Sequence, residues 1–125
     1  MKSLADLNTA LHSETPFAFE LLIDGKPSGI TLRVIGQQSE TFVAAATAIA
    51  REFELAKGLQ NPSEFLPSEH SRQMTNRLVA ARLVGWDGIA EPCTPENALM
   101  LVSTNQDAFN QVLAASNRVG NFIRL

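Results

Sequence analysis

Few residues in the sequence have side chains suited to acid–base, nucleophilic or metal chemistry. The chain of 125 residues contains two His, one Cys and no Tyr. His12 and His70 lie far apart and share no metal-ligand spacing, and a single Cys excludes both an internal disulfide and a cysteine-based zinc site. We therefore expect no catalytic residue, no metal site and no cofactor.

Cys93 is the one residue with a nucleophilic thiol. A reactive cysteine needs a lowered pKa, and the neighbouring Glu91 and Glu96 would raise it, although the helix start that follows acts in the opposite direction. A pairing of Cys93 with His70 stays open as an alternative, but no local signature supports it. The favoured interpretation is a small apolar residue that fills space beside a turn.

Other catalytic motifs are missing from the sequence. A Gly-rich phosphate loop is excluded because Gly85 and Gly88 lack the spacing and the Lys that such a loop needs. No Ser lies in a nucleophile elbow, and the carboxylates are scattered without aromatic neighbours that would raise a pKa. We predict that the protein is not an enzyme.

Composition and charge narrow the classes of partner. Apolar residues make up 45% of the chain, charged residues 18%, and the net charge is −3. Arg72, Arg77 and Arg82 could form a basic edge, but in an acidic protein such residues more often pair with carboxylates, so we expect no nucleic-acid partner. No run approaches the ~20 apolar residues of a membrane span, and no signal peptide begins the chain. We expect a soluble cytoplasmic protein.

The stretch from Leu83 to Asn97 interrupts two helical patterns. It contains the only Trp and the only Cys of the chain. Thr94-Pro95-Glu96 is a strong helix start, with a capping hydroxyl, a Pro at the first helical position and an acid at the positive end of the helix dipole. We predict a rigid structural corner between two helices, formed by Gly85, Trp86, Asp87 and Gly88.

The first half of the chain predicts a β-hairpin and then a helix. Residues 17–23 and 30–36 alternate like strands, and residues 24–29 are rich in turn formers. A hairpin alone is marginal, so it must lie on helices or pair with another strand, which a neighbouring subunit could supply. Ser39 is the predicted cap of a helix that runs through Lys57 and stops at Gly58. Its Ala-rich middle, residues 44–48, would let another element approach closely.

These elements predict an α+β fold, mainly α, with an N-terminal β-hairpin followed by four to five helices in one compact domain. The domain spans residues 1–125, with 1–15 as a loose arm and 119–125 as an apolar tail. Leu4, Leu7 and Leu11 in the arm have helical spacing. Further helices are expected at about 68–84, at 95–102 and around Phe109–Ser116.

The second half of the chain resembles the tail assembly chaperones of long-tailed bacteriophages and prophages. The resemblance rests on Gly85-Trp86-Asp87-Gly88-Ile89, then Thr94-Pro95-Glu96-Asn97-Ala98-Leu99, then Gly120-Asn121-Phe122, and it is best over about residues 70–125. It implies a protein that self-associates, coats the tape measure protein and keeps it soluble in the host cytoplasm, works with other tail proteins, and is absent from the mature virion. Many proteins of that family also have a longer form made by ribosomal frameshifting; an end at Leu125 is compatible with the short form, and the sequence leaves open whether a longer form exists.

Apolar side chains in the last helices and the tail are the candidates for partner binding. Each of them would otherwise be ordinary core. They are Leu99, Val102, Phe109, Leu113 and Phe122.

Two other functions stay open. The first alternative is a small structural tail or connector component that is retained in the particle. A DNA-binding regulator is disfavoured, because the predicted corner is too long and too acidic for a helix-turn-helix. The sequence leaves open the oligomeric state, the binding face, and whether Phe65, Leu66 and Phe122 are buried or face a partner.

Overall fold

The computed structural model describes residues 1–59 and 67–123. Within these ranges the chain forms five α-helices and a three-stranded antiparallel sheet, which confirms a small α+β domain. The elements in chain order are α1 (Thr9–His12), β1 (Phe17–Ile23), β2 (Lys26–Val34), α2 (Glu40–Leu59), α3 (Pro67–Ala80), β3 (Leu83–Asp87), α4 (Pro95–Thr104), α5 (Gln106–Asn117) and a 3₁₀ helix (Val119–Asn121).

The sheet has the strand order β1-β2-β3, so β2 is central. Phe19 lies opposite Leu32, and Leu32 lies opposite Trp86, so the three side chains share one face of the sheet. Leu32 is fully buried and Trp86 is 8% exposed, because α5 packs against β1 and β2 on this side. The other face carries Arg33, whose guanidinium binds the Asp87 carboxylate at 2.6 Å.

The β1–β2 turn is shorter than the predicted loop over residues 24–29. Ile23 pairs with Lys26, and the two residues between them, Asp24 and Gly25, have φ of 53° and 75°. Positive φ at both central positions is the pattern of a type I′ hairpin turn. Pro27 fits into β2 because it lies opposite Leu22, whose backbone N–H and C=O bond to the Gln111 side chain instead of to β2.

The prediction that residues 85–88 form a corner between two helices is wrong. Helix α3 ends at Ala80, and Gly85, Trp86 and Asp87 belong to β3, which pairs with β2. Gly88 follows the strand with a φ of 91°. The helical spacing of Leu83 and Val84 continued the α3 pattern, but pairing with β2 gives this apolar segment a better partner than another helical turn would.

Capping side chains begin four of the described helices, among them α1, which Asn8 caps. The hydroxyls of Ser39 and Thr94 accept hydrogen bonds from Phe42 N–H and Asn97 N–H, as predicted, and the Asn105 side chain caps α5. The prediction that Gly58 stops α2 is wrong, since the helix continues to Leu59. Helices α3, α4 and α5 contact one another, and their apolar faces close the core over the sheet.

Segments near both ends of the described chain are packed against the rest of the domain. Ser13 is 1% exposed, and its carbonyl accepts a hydrogen bond from Gly36 N–H at 2.9 Å. Ile123 is 7% exposed, and the Phe122 ring packs edge-on against Phe17 at 6.3 Å between centroids. The arm is therefore anchored at its base. Of the predicted apolar tail, Arg124 and Leu125 lie outside the described residues, as do Phe65 and Leu66.

Candidate functional site

An apolar groove lies between α2 and α4 on the surface of α3. Both helices pack on α3, so α3 forms the floor of the groove and the other two helices form its walls. We call this feature the α2–α4 groove. A space between two helices that lie side by side on a third is where a further helix can pack, with its apolar stripe facing inward.

The larger part of the α2–α4 groove has a volume of about 510 Å³. Most of its lining is apolar, and alanines on α2 and α3 alternate with larger side chains. The lining residues are Ala45, Ala48, Ile49, Arg77, Ala80, Ala81, Leu83, Val84, Cys93, Thr94, Pro95 and Leu99.

A second part of the groove, of about 450 Å³, continues along α2 to Glu52 and Phe53. Arg77 and Leu99 line both parts. Arg77 donates to the Glu52 carboxylate at 2.9 Å, and its guanidinium lies 5.7 Å from the centroid of the Phe53 ring. This ion pair links the floor of the groove on α3 to its wall on α2. Both side chains are partly exposed, so a bound ligand can replace either of them as the partner of the other.

The residues that α2 contributes to the groove repeat at helical spacing. They are Ala45, Ala48, Ile49, Glu52 and Phe53, that is i, i+3, i+4, i+7 and i+8. This is one face of the helix, and the small residues on it let the backbone of a ligand come close. The Ala-rich sequence was the signal that pointed to this face, but the sequence did not identify the opposite wall.

The Cys93 thiol lies 4.0 Å from the Leu83 carbonyl oxygen, and the His70 imidazole contacts α2. Burial raises the pKa of the Cys93 thiol, which lowers the fraction of reactive thiolate. The His70 ring packs edge-on against Phe53 at 4.8 Å between centroids, as part of the contact between α2 and α3. In residues 1–59 and 67–123, no group of three or more His, Cys, Asp or Glu side chains is placed to hold a metal ion.

The five predicted partner-binding residues lie in different places. Leu99 lines the α2–α4 groove, whereas Val102 is 3% exposed and belongs to the core. Phe109 is half-buried beside a more polar cleft between α3 and α5. Leu113 and Phe122 are half-buried and pack against the core. Of the five residues, Leu99 lines the α2–α4 groove, whereas Val102 and Phe109 line the separate cleft of about 400 Å³ between α3 and α5.

The residues of the predicted corner hold the sheet together. Trp86 donates its indole N–H to the Glu91 carbonyl at 2.8 Å, which satisfies the polar atom of a largely buried ring. A Cβ on Gly85 would meet the Arg33 guanidinium, and a Cβ on Gly88 would meet the Gly29 carbonyl oxygen at 2.8 Å. Close packing accounts for the presence of glycine at both positions, and a bound ligand is not needed to explain it.

A scan against protein-family models and searches of curated proteins and of solved structures give no significant match to this chain. Among the described residues, no helix has both the length and the apolar character required to cross a bilayer.

Proposed function

We propose that the protein is a phage or prophage tail assembly chaperone, which binds the tape measure protein in the host cytoplasm and keeps it soluble while the tail assembles. It acts with other tail proteins, is absent from the mature virion, and has no enzymatic activity. The motifs between Gly85 and Leu99 support this proposal, and so does the α2–α4 groove.

The α2–α4 groove is the observation that carries the proposal. A long helical protein with apolar stripes aggregates when those stripes are uncovered. A groove with apolar walls recognises such a stripe through side chains spaced at i, i+3, i+4 and i+7. The Ala45 and Ala48 side chains leave room for larger side chains of the bound helix, and Leu99 closes the opposite wall. Several copies along one partner would add their weak affinities.

Co-expression tests this function directly. The chain is produced together with the longest helix-rich protein encoded nearby, and the soluble fraction is analysed by size exclusion with light scattering. We expect that protein to be insoluble alone and to co-elute with several copies of this chain. If its solubility is unchanged and the chain elutes alone, the chaperone proposal is wrong. Finding the chain in purified particles would instead support the structural tail component.

A further inference from the structure

The first 12 residues of the arm present apolar side chains to solvent. Leu4, Leu7 and Leu11 are 89%, 50% and 58% exposed, although each could contribute to a core. On an α-helix these three residues share one face, whereas Lys2 and Asp6 fall on the opposite face. The arm therefore has the pattern of an amphipathic helix whose apolar face has no cover in a single copy.

The backbone of the arm is already close to helical. The N–H groups of Asp6, Leu7 and Asn8 donate to carbonyls three residues earlier, and α1 follows directly with the Asn8 side chain as its cap. Turns of this kind are common at the ends of α-helices. The break lies at Asn8, whose ψ of 88° is outside the helical range, and turning that one angle to a helical value would join these turns and α1 into one helix of about three turns.

The base of the arm is fixed beside the start of α2. Ser13 is buried against Gly36, and the Glu14 carboxylate accepts hydrogen bonds from Thr41 N–H at 2.8 Å and from the Thr41 hydroxyl at 2.7 Å. Leu11 is two residues from this anchor, so its Cα stays within about 7 Å of Ser13. No residue of the arm lines the groove of its own chain.

The arm and the α2–α4 groove match in length and in chemistry. In a helix, Leu4 and Leu11 lie about 10.5 Å apart along the axis, and Ala45 and Phe53 on the groove wall lie about 12 Å apart. Three leucines at helical spacing are complementary to a groove that has alanines on one side and Leu99 on the other.

We propose that the arm of one copy docks as an amphipathic helix in the α2–α4 groove of a second copy. In a single copy no residue of the arm lines the groove, so both surfaces are open to a neighbour. The arm and the groove are different surfaces. Two copies can therefore exchange arms with each other, or several copies can join head to tail. A further consequence rests on the proposed function: the arm protects the groove until a partner helix displaces it.

A disulfide between copies tests the contact, because the single native cysteine lines the groove. A Leu7→Cys/Cys93→Ser copy is mixed with the wild-type chain and oxidised with oxidised glutathione at a pH of about 8.5, since burial raises the pKa of the Cys93 thiol. A Thr9→Cys/Cys93→Ser copy, with its cysteine on the polar face of the arm, is the matched control. We expect a mixed dimer on a non-reducing gel with Leu7→Cys and several-fold less with the control.

Two results would overturn the proposal. One is equal cross-linking by Leu7→Cys and Thr9→Cys, or none by either. The other is an internal disulfide in the Leu7→Cys single variant without a mixed dimer, which would place the arm in the groove of its own chain. Neither result involves the tape measure protein, so failure here leaves the chaperone proposal standing, and failure of co-expression leaves the arm contact standing.

Sedimentation velocity gives an independent measurement on uncross-linked protein. A Leu4→Ser/Leu11→Ser variant should fold normally, because both side chains are exposed, and it should sediment as a monomer at concentrations where the wild type associates. The control is Val119→Ser, which removes an exposed apolar side chain outside the arm and the groove. Unchanged association of the leucine variant, or equal loss in the control, would contradict the proposal.

Discussion

At the residue scale, the three arginines of α3 and the turn after it have different environments. Arg72 and Arg77 pair with Glu69 and Glu52. Arg82 is 9% exposed, donates to the Leu78 carbonyl at 3.1 Å, and stacks its guanidinium 4.2 Å from the centroid of the Phe42 ring. Within the described residues no carboxylate pairs with it, and desolvation lowers its pKa.

Replacing Arg82 by Met should stabilise the protein. The change removes a buried cation that pairs with no carboxylate of the described residues, while a side chain of similar length still covers Phe42. The loss of the Leu78 hydrogen bond and of the cation–π contact offsets part of the gain, so we expect the free energy of unfolding to rise by about 1 kcal/mol. Urea unfolding measures it, and a loss of stability would show that the stacked guanidinium is net favourable.

Glu14 should make the stability of the protein sensitive to acid. Hydrogen bonds from Thr41 hold the pKa of the Glu14 carboxyl below its ordinary value of 4.5. A carboxyl with a lowered folded-state pKa stabilises the fold above pH 4.5, and this stabilisation is lost as the pH falls through the lowered value. We expect Glu14→Gln to have a lower melting temperature than the wild type at pH 7 and the difference to narrow as the pH falls below 4.5, and a difference that does not change with pH would contradict this.

Single residues were predictable where their role is local. The caps Ser39 and Thr94 could be predicted because a capping hydroxyl acts on backbone only three residues away. The burial of Arg82 could not be predicted, because it depends on Phe42, which lies 40 positions earlier in the chain.

At the element scale, substitutions at Gly88 and Gly85 test whether this segment forms a strand, as described, and not a corner between two helices. A Cβ at Gly88 would meet the backbone oxygen of Gly29 at 2.8 Å, and Gly88 has a φ of 91°. A Cβ at Gly85 would meet only the flexible Arg33 side chain. We expect Gly88→Ala to cost about 2 kcal/mol of unfolding free energy and Gly85→Ala less than about 1 kcal/mol.

Chemical denaturation of both glycine variants gives these values. The single tryptophan supplies the signal, because Trp86 is buried in the fold and its emission shifts to the red on exposure. Equal costs at the two positions would mean that Gly88 does not lie against the Gly29 carbonyl as described.

The amide of Gln111 closes part of the exposed edge of β1. It accepts a hydrogen bond from Leu22 N–H at 2.9 Å and donates to the Leu22 carbonyl at 2.7 Å, as a neighbouring strand would. We expect Gln111→Ala to lose about 1–2 kcal/mol and to aggregate more readily, because two backbone groups lose their partners. Asn110→Ala is the control, and equal behaviour in light scattering and urea unfolding would exclude this role.

The sequence predicted β1 and most of the helices correctly, and the missed strand has a physical cause. Strand β3 has only five residues, and two of them continue the apolar spacing of α3. It becomes a strand because β2, about 50 residues earlier in the chain, offers backbone partners. Pairing at that distance leaves no trace in local periodicity. The short Asp24-Gly25 turn was missed for a local reason, because the Pro and Gly that follow it made the predicted loop longer.

At the scale of the whole molecule, the α2–α4 groove was only partly predictable. Leu99 was predicted to bind a partner, and the Ala-rich face of α2 was expected to admit a close neighbour. The groove exists because α2 and α4 lie on the same side of α3, and no local pattern encodes that arrangement. The arm adds a second apolar surface, which would compete with a bound helix for the same groove.

The central claim is that the α2–α4 groove receives an apolar helix of the tape measure protein. The measurement is co-expression of that protein with Ala48→Arg, which fills the groove, and with Ala50→Arg, which adds the same charge on an exposed part of α2 outside it. We predict that Ala48→Arg loses co-elution by size exclusion with light scattering, whereas Ala50→Arg keeps it. Co-elution of both variants with an equally soluble partner would contradict the claim.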